Sequence, residues 1–505
     1  MQFNPQALSE KTKHFDEIKQ HRAVLKNVIA RNLGDDFEIA ENQPIWRGGG
    51  ATTYIVRTAQ MKVFLKVKNR SVCVESKLEE EPAFIDEPSV EHEAKMLEAA
   101  RNAGVGVPET VFFDSEGDFQ FLATSYIGSA LLEYLEKTTV EETLNIWDEL
   151  IQYVRRLFDA GIIHSDLHEH NMRVDNGHLV LIDFEEARFL RQNCEFEQSL
   201  DYRGSNGISS LGTFPFADKQ DFSVKTNSLL RMRQVFKKFL APKTAAYVRE
   251  CNYDSSNGIC AALDHGKSEL TYQSIRNDFF SVKGQRGMED CRPDLLEAVL
   301  RILSANRNWT FVDIGSNNGL FCREISKRFG GQIRTIGLEG FHGFNVLAKA
   351  LAFLEDCRNS SYVDFLCGDD DLQALGIGGD CFMTICSVWH HIQNKEAFLD
   401  QLRELNPRFI FFEMPIQKEC YDGRTWEKEI AVIKEKLGFS GECFLANSND
   451  YKRPLILLSR GAFPELLRRK LEAAARRIFF PTFLNKITKR LCQLWHREGR
   501  TPGSR

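Results

Sequence analysis

Nothing in the 505 residues is long and apolar enough to cross a bilayer: a spanning helix needs roughly 18 to 20 apolar residues in a row, and no such run occurs. The start, Met1-Gln2-Phe3-Asn4-Pro5, has neither the basic residues nor the apolar stretch of a secretory signal, so the sequence reads as cytoplasmic. Thirteen cysteines form no CxxC pair and follow no zinc-ligand spacing, which argues against a disulfide scaffold or a zinc module and leaves reduced thiols. Internal repeats, low-complexity tracts and sustained heptads are missing as well, so a solenoid or a long coiled coil is excluded. What remains is globular. With 43% apolar and 27% charged residues, the chain has material for two or three domains, each with its own core.

Net positive charge is confined to one end. The net charge is −6, yet residues 460–505 hold twelve Lys/Arg against three Glu, a net of +9 that leaves −15 on the rest. An acidic body argues against nucleic acid as its partner. In the basic end, apolar residues recur at helical spacing (Leu467, Leu471, Ile478, then Phe483, Leu484, Ile487, Leu491, Leu494, Trp495), and Pro481 splits them into two helices. A basic amphipathic pair of this kind suits an anionic membrane surface and places the protein on the inner face of the cell membrane; docking on the acidic body is the other reading.

The pattern divides the chain into a helical extension over 1–43, a first domain over 44–255, a second over 268–460 and the tail over 461–505. Residues 1 to 42 carry helical spacing in Leu8, Phe15, Ile18, Leu25, Val28 and Ile29. Strand-like alternation follows through Tyr54, Val56, Val63, Leu65 and Val67, and Asn252–Lys267 has the turn signals of a linker. Beyond it, strands at Thr310–Ile314, Thr335–Leu338, Tyr362–Leu366, Cys381–Cys386 and Phe409–Glu413 alternate with helices, the rhythm of a parallel sheet.

The first domain carries the parts of a phosphotransferase in order. Phosphoryl transfer asks a protein for positioning and charge neutralisation. Gly48-Gly49-Gly50 brings backbone N–H groups close to phosphates, and Lys66 in Val63-Phe64-Leu65-Lys66 reaches them from a strand. Glu93 on the next helix pairs with Lys66, with Glu91 as the competing assignment, and Phe121–Gly128 forms the hinge over an adenine. In His164-Ser165-Asp166-Leu167-His168-Glu169-His170-Asn171, Asp166 takes the proton of the acceptor hydroxyl, while Asn171 and Asp183 hold magnesium. His164 braces the loop; His168 and His170 are solvated loop residues. Ser165 stands where protein kinases have Arg, Glu185 where they have Gly after Asp183-Phe184, and no Ala-Pro-Glu segment follows. The set resembles lipopolysaccharide-core and small-molecule kinases, which implies a bilobal protein-kinase-like fold, ATP as donor and a sugar hydroxyl as acceptor.

The second domain carries a nucleoside-cofactor turn. Val312-Asp313-Ile314-Gly315-Ser316-Asn317-Asn318-Gly319 reads as strand, glycine turn and helix, with Asp313, Gly315, Ser316, Asn317 and Gly319 against the cofactor. Glu339 ends the next strand, where a carboxylate accepts from both ribose hydroxyls; Asp369, or Asp370, stands where it meets an adenine amino group. Ser387-Val388-Trp389-His390-His391 closes the fourth strand, Ser387 at the cofactor and His390 at the acceptor, with packing as the other reading of His390. Arg286 and Arg292 are candidates for the methionine carboxylate or an anionic acceptor, with surface charge as the other reading. The turn resembles that of S-adenosylmethionine methyltransferases, which implies a multidomain architecture, α+β then α/β, ending in a Rossmann-like class I methyltransferase.

Together, His164-Ser165-Asp166 with Asn171, Asp183, Asp313-Ile314-Gly315, Ser387–Ile392 and Lys452-Arg453-Pro454-Leu455 resemble the bifunctional kinase–methyltransferases that cap bacterial O-antigen polysaccharides, with the two halves in reverse order. The resemblance implies ATP, Mg2+ and S-adenosylmethionine as cofactors. It also implies phosphorylation of a terminal sugar followed by methylation of that phosphate, a lipid-linked polysaccharide substrate and a glycosyltransferase partner. The alternatives are a small-molecule phosphotransferase fused to an independent methyltransferase, and a pseudokinase scaffolding an active one.

Overall fold

The computed structural model describes residues 22–40, 51–69, 89–164, 166–185, 187–189, 227–253, 271–286, 290–303, 309–330, 332–357, 359–378, 380–416, 425–448 and 452–479. It divides into two units at Phe236 and Lys237.

The first unit begins with α1 (Arg22–Leu33) and β1 (Phe37–Ala40), so the expected N-terminal helix gives way to a strand before residue 42. The chain continues through β2 (Ala51–Thr58), β3 (Lys62–Asn69), α2 (Val90–Asn102), β4 (Thr110–Glu116) and β5 (Phe119–Ser125). These strands form an antiparallel sheet in the order β1-β2-β3-β5-β4. Its inner face carries Val56, Val63, Leu65, Val67, Phe121 and Ala123, and α1 covers it with Leu25, Val28 and Ile29. The Ser89 hydroxyl, accepting from His92 N, starts α2 and so fixes where Glu93 begins its first turn.

A helical lobe follows: β6 (Ser129–Ala130), α3 (Leu131–Lys137), α4 (Val140–Asp159), β7 (Ile162–Ile163), β8 (Met172–Asp175), β9 (His178–Leu181) and β10 (Arg188–Phe189). Thr139 and Glu142 close a capping box at the start of α4, whose buried stripe runs through Leu144, Trp147, Leu150 and Leu157. Gly128, in the connection between the lobes, tolerates no side chain: a Cβ there would lie 2.2 Å from the Val174 carbonyl oxygen. The connection therefore rests on β8, the strand that follows Asn171. Helix α5 (Asn227–Tyr253) contains the division between the units.

In the second unit come β11 (Thr271–Gln273), β12 (Ile275–Arg276), β13 (Ser281–Val282), β14 (Gly284–Arg286) and α6 (Arg292–Leu303). Then alternate β15 (Thr310–Ile314), α7 (Leu320–Arg328), β16 (Arg334–Glu339), α8 (His342–Leu354), β17 (Ser360–Asp364), β18 (Cys381–Cys386), α9 (Lys395–Leu405), β19 (Phe409–Glu413), α10 (Trp426–Leu437), β20 (Gly441–Asn447) and β21 (Pro454–Ser459). The sheet order is β17-β16-β15-β18-β19-β21-β20, and β21 alone runs antiparallel to its neighbours. Strands β18, β19 and β21 are buried along their whole length, as apolar strands covered on both faces must be.

One expectation fails here. A helix over 465–479 buries Leu471 and Ala475 in the core beside Phe311 and Leu457, with Leu467 and Ile478 packed against it. Its apolar face is therefore committed to the protein, not free for a membrane, and Arg468, Arg469 and Arg476 face outward and pair with Glu465 or Glu472. The docked reading of the tail holds for this helix. The expected second helix, Phe483–Trp495, lies outside the described residues. Among the described residues no helix is long and apolar enough to cross a membrane.

Candidate active site

Side chains alternate along a strand, so β3 puts Lys66 and Lys68 on one face, and both are buried. Lys66 Nζ lies 2.6 Å from Asp183 Oδ1, 2.8 Å from Glu93 Oε2 and 2.9 Å from Glu185 Oε2. Glu91, the competing assignment, pairs with Lys95 in the same helix. Burial opposes the Lys66 charge, but the three carboxylates outweigh it and hold the proton well above the ordinary lysine range. Burial works against the Asp183 charge in turn, and the adjacent Lys66 keeps that carboxyl below its usual value. Asp183 has a φ of 63°, in the left-handed region that a non-glycine residue enters only when its surroundings enforce it.

The loop before β8 is tied to the same place. Asn171 donates from its amide nitrogen to Asp166 Oδ2 and to the Asp166 carbonyl, both at 2.9 Å, which leaves the amide oxygen to offer a cation. Ile182 N–H donates to the Asn171 carbonyl at 3.0 Å, which ties the Asp166–Asn171 loop to the segment that carries Asp183. His164 is buried, which pushes its pKa down; its Nε2–H donates to the Ile182 carbonyl at 3.1 Å and its ring lies 4.5 Å from that of Phe184. Asp166, by contrast, is 42% exposed in its side chain, with His168 Nε2 3.3 Å away.

Lys66, Glu93, Asn171 and Asp183 line one cavity, whose other walls include Ala51, Phe64, Leu122 and Ile182. Leu122 and Thr124–Ile127 bring the lobe connection into that wall, an apolar slot ending in charge. Such a slot accepts a flat base at one end and phosphates at the other. Gly48, Gly49 and Gly50 lie outside the described residues.

In the second unit, the candidate residues gather at the carboxyl ends of β15, β16 and β18, beside the point where strand order reverses. Gly315 N–H and Ser316 N–H donate to the Leu338 carbonyl, and Asn317 N–H donates to Glu339 Oε2 at 2.8 Å. Glu339 also accepts from Phe341 N–H at 3.1 Å; a carboxylate has further lone pairs, so hydroxyl donors can still be met. Gly315 (φ 69°) and Gly319 (φ 74°) need glycine for conformation, and a Cβ on Gly315 would strike Val388. Asp313 is buried and accepts from Thr384 Oγ1 at 2.6 Å; burial pushes its carboxyl up to about 7. Asp369 is exposed, and it is Asp370 that accepts from Leu366 N–H. His390 is half-buried, its ring 4.0 Å from that of His391. Arg286 ends β14, paired in register with Gln273.

Arg292 is not available to a ligand. It is buried, its guanidinium bridging Asp290 (2.5 Å) and Glu413 (2.7 Å), and Ser387 Oγ donates to the same Glu413 carboxylate. Ser387, with φ 63°, is thus held from within by Glu413. Sequence reading missed Glu413, Lys68 and Glu185 as partners. For Lys68 a signal existed, since Lys-x-Lys on a strand shares a face; Glu413 ended an apolar strand and gave none.

A buried carboxyl raised to about 7 has a pH signature. The folded state holds the Asp313 proton more tightly than the unfolded chain, whose value is near 3.8. Its contribution to stability is therefore full below that lower value, falls as pH rises, and is lost through about 7. Asp313→Asn keeps an acceptor for Thr384 without the charge. Its stability advantage over the wild type is expected to grow between about pH 4 and about pH 7 in denaturant titrations; an unchanged difference across that window would rule the burial argument out.

The RIO domain family model matches residues 54–194. KEOPS complex subunit Bud32 of Pyrococcus abyssi is 37% identical over 98 residues, 19% of this chain and 44% of that protein. RIO-type serine/threonine-protein kinase Rio1 of Haloferax volcanii is 31% identical over 116 residues, 21% of this chain and 39% of that protein. A probable bifunctional tRNA threonylcarbamoyladenosine biosynthesis protein of Haloquadratum walsbyi is 32% identical over 92 residues, 18% of this chain and 16% of that protein. The chain thus spans less than half the length of each of these relatives. Among solved structures, the bifunctional kinase–methyltransferase WbdD is similar at 17% identity and a TM-score of 0.28, covering 34% of this chain and 39% of that one.

These matches overturn the polysaccharide-capping reading. The kinase segment is similar in sequence to RIO-type kinases, not to O-antigen or lipopolysaccharide-core enzymes, and the likeness to WbdD is too weak to restore the resemblance. The terminal sugar, the lipid-linked polysaccharide and the glycosyltransferase partner fall with it. So does the exclusion of nucleic acid, since one relative carries a name from tRNA threonylcarbamoyladenosine biosynthesis. The sequence relatives give no support to S-adenosylmethionine or methyl transfer. The described residues within 54–194, the stretch that matches the RIO domain model, have a protein-kinase-like, two-lobed architecture.

Proposed function

We propose that the first unit is an ATP- and magnesium-dependent kinase whose acceptor is a serine or threonine hydroxyl of a protein. The observation that carries this reading is Lys66 held between Glu93 and Asp183 in one cavity with Asn171. Lys66 neutralises phosphate charge; Asn171 and Asp183 would hold magnesium, which draws further charge from the transferred group. Asp166, exposed and fixed by Asn171, orients the acceptor hydroxyl and takes its proton. Following the names of the relatives, the acceptor is sought among proteins associated with tRNA modification. Incubation of the full chain with ATP and magnesium, followed by phosphosite mass spectrometry, tests it. Phosphoserine or phosphothreonine on the chain or an added protein supports the reading; nucleotide binding with no transfer to any protein hydroxyl overturns it.

A specific observation favours a second activity in the other unit. We propose that it binds S-adenosylmethionine, the donor of methyl transfer. The sheet order with its one reversed strand, and the Gly315–Gly319 turn bonded to the Glu339 carboxylate, support this. Glu339 would accept from the ribose hydroxyls. Calorimetry with S-adenosylmethionine is expected to give saturable binding that Glu339→Ala weakens; a flat titration of the folded protein would remove the reading.

A further inference from the structure

An ammonium group has three protons to donate. At Lys66 three carboxylates take them: Asp183 at 2.6 Å, Glu93 at 2.8 Å and Glu185 at 2.9 Å. A lysine that meets a nucleotide phosphate must give up one of those partners. The three are not equivalent. Glu93 sits in the first turn of α2, its side chain 5% exposed, and leaving Lys66 would strand a buried charge. Asp183, 40% exposed in its side chain, is the carboxylate that a bound metal ion would draw away. Glu185 has a second ammonium already in place, Lys68 Nζ at 2.7 Å from its other oxygen, and its side chain is 22% exposed. Lys68 itself is 3% exposed in its side chain and remains buried whichever way Glu185 turns.

We infer that Glu185 is an internal competitor for the phosphate site: its carboxylate holds Lys66 and withdraws onto Lys68 when phosphate arrives. This rests on the kinase reading and adds to it a residue that sets nucleotide affinity without touching the transferred group. It also gives a physical use to an acidic residue where protein kinases carry glycine. Magnesium enters in a defined way. When the metal recruits Asp183, Lys66 recovers a proton without any movement of Glu185, so the competition weighs most on metal-free nucleotide.

The experiment is calorimetric titration of the full chain with ATP, once with EDTA and once with magnesium, on wild type, Glu185→Gln and Lys68→Met, each checked for an intact melting transition. Glu185→Gln should bind metal-free ATP roughly tenfold tighter, the scale of one charge-assisted bond no longer contested, with a smaller gain when magnesium is present. Lys68→Met removes the place to which Glu185 withdraws and should weaken metal-free binding by a similar factor. Either variant suffices if the other does not fold. Unchanged or weaker metal-free binding in folded Glu185→Gln, or unchanged binding in folded Lys68→Met, overturns the inference and leaves the kinase reading intact. A wild type that binds ATP under neither condition removes the kinase reading and the inference together.

Discussion

Asp166→Asn is expected to lower phosphoryl-transfer turnover by about 10²- to 10⁴-fold while leaving the KM for ATP close to that of the wild type. The geometry separates the two quantities. Nucleotide contacts are assigned to Lys66 and the apolar walls at Phe64 and Leu122, none of which bonds to the Asp166 carboxylate. Asp166 instead faces outward from a loop whose backbone is anchored through Asn171 and Ile182. An asparagine there can still accept the Asn171 amide hydrogen bond, so the loop keeps its form and only the capacity to take a proton is lost. Asn171→Ala should behave differently. It removes a metal-facing oxygen and the restraint on Asp166 together, so activity should fall and the magnesium concentration for half-maximal rate should rise. Steady-state rates against ATP and magnesium distinguish the pair. A loss below about tenfold in Asp166→Asn would mean the acceptor reaches the phosphate without its help.

How far the sequence carried these assignments follows from what each signal depends on. Periodicity is local, so strands such as Cys381–Cys386 and Phe409–Glu413 were legible to the residue. Tyr362–Leu366 was placed late, because β17 runs Ser360–Asp364: its start is polar, and Phe365 turns away with its N–H on the Glu339 carbonyl. The extension before residue 42 read as helix throughout, yet Phe37–Ala40 pairs with Ile55–Thr58, a contact that no local pattern announces. Spacing within one loop, as in Asp166 and Asn171, was readable because such residues meet locally, here through a hydrogen bond between their side chains. Long-range electrostatics was not readable. That Lys66 meets Glu185 as well as Glu93, or that Glu413 reaches back to Arg292, depends on which strand lies beside which. The substrate was the least legible of all, because fold and motif fix the phosphate end of such a site and say little about the acceptor.

The largest stability effect should come from Arg292. Its guanidinium is 2% exposed in the side chain and Glu413 is 0% exposed, so neither has water as a substitute partner. Removing one member of a buried pair strands the other, which typically costs about 3–5 kcal/mol, whereas replacing both by apolar groups is often close to neutral. Arg292→Met should therefore destabilise the second unit by about 3–5 kcal/mol, and Arg292→Met with Glu413→Leu should recover much of that loss. Recovery will be incomplete, because Asp290 and the Ser387 hydroxyl each keep a bond to the deleted groups in the wild type. Hydrogen exchange read on β15, β18 and β19 reports this unit alone, and protection there should fall in the single variant and return in the double. The consequence reaches the proposed cofactor site. Ser387 holds a left-handed φ of 63° while its hydroxyl is bonded to Glu413, so losing that carboxylate frees the loop that closes β18. The double variant should thus restore protection in the strands yet bind S-adenosylmethionine more weakly than the wild type. Equal affinity in the two proteins would show that the Glu413 network supports the fold alone.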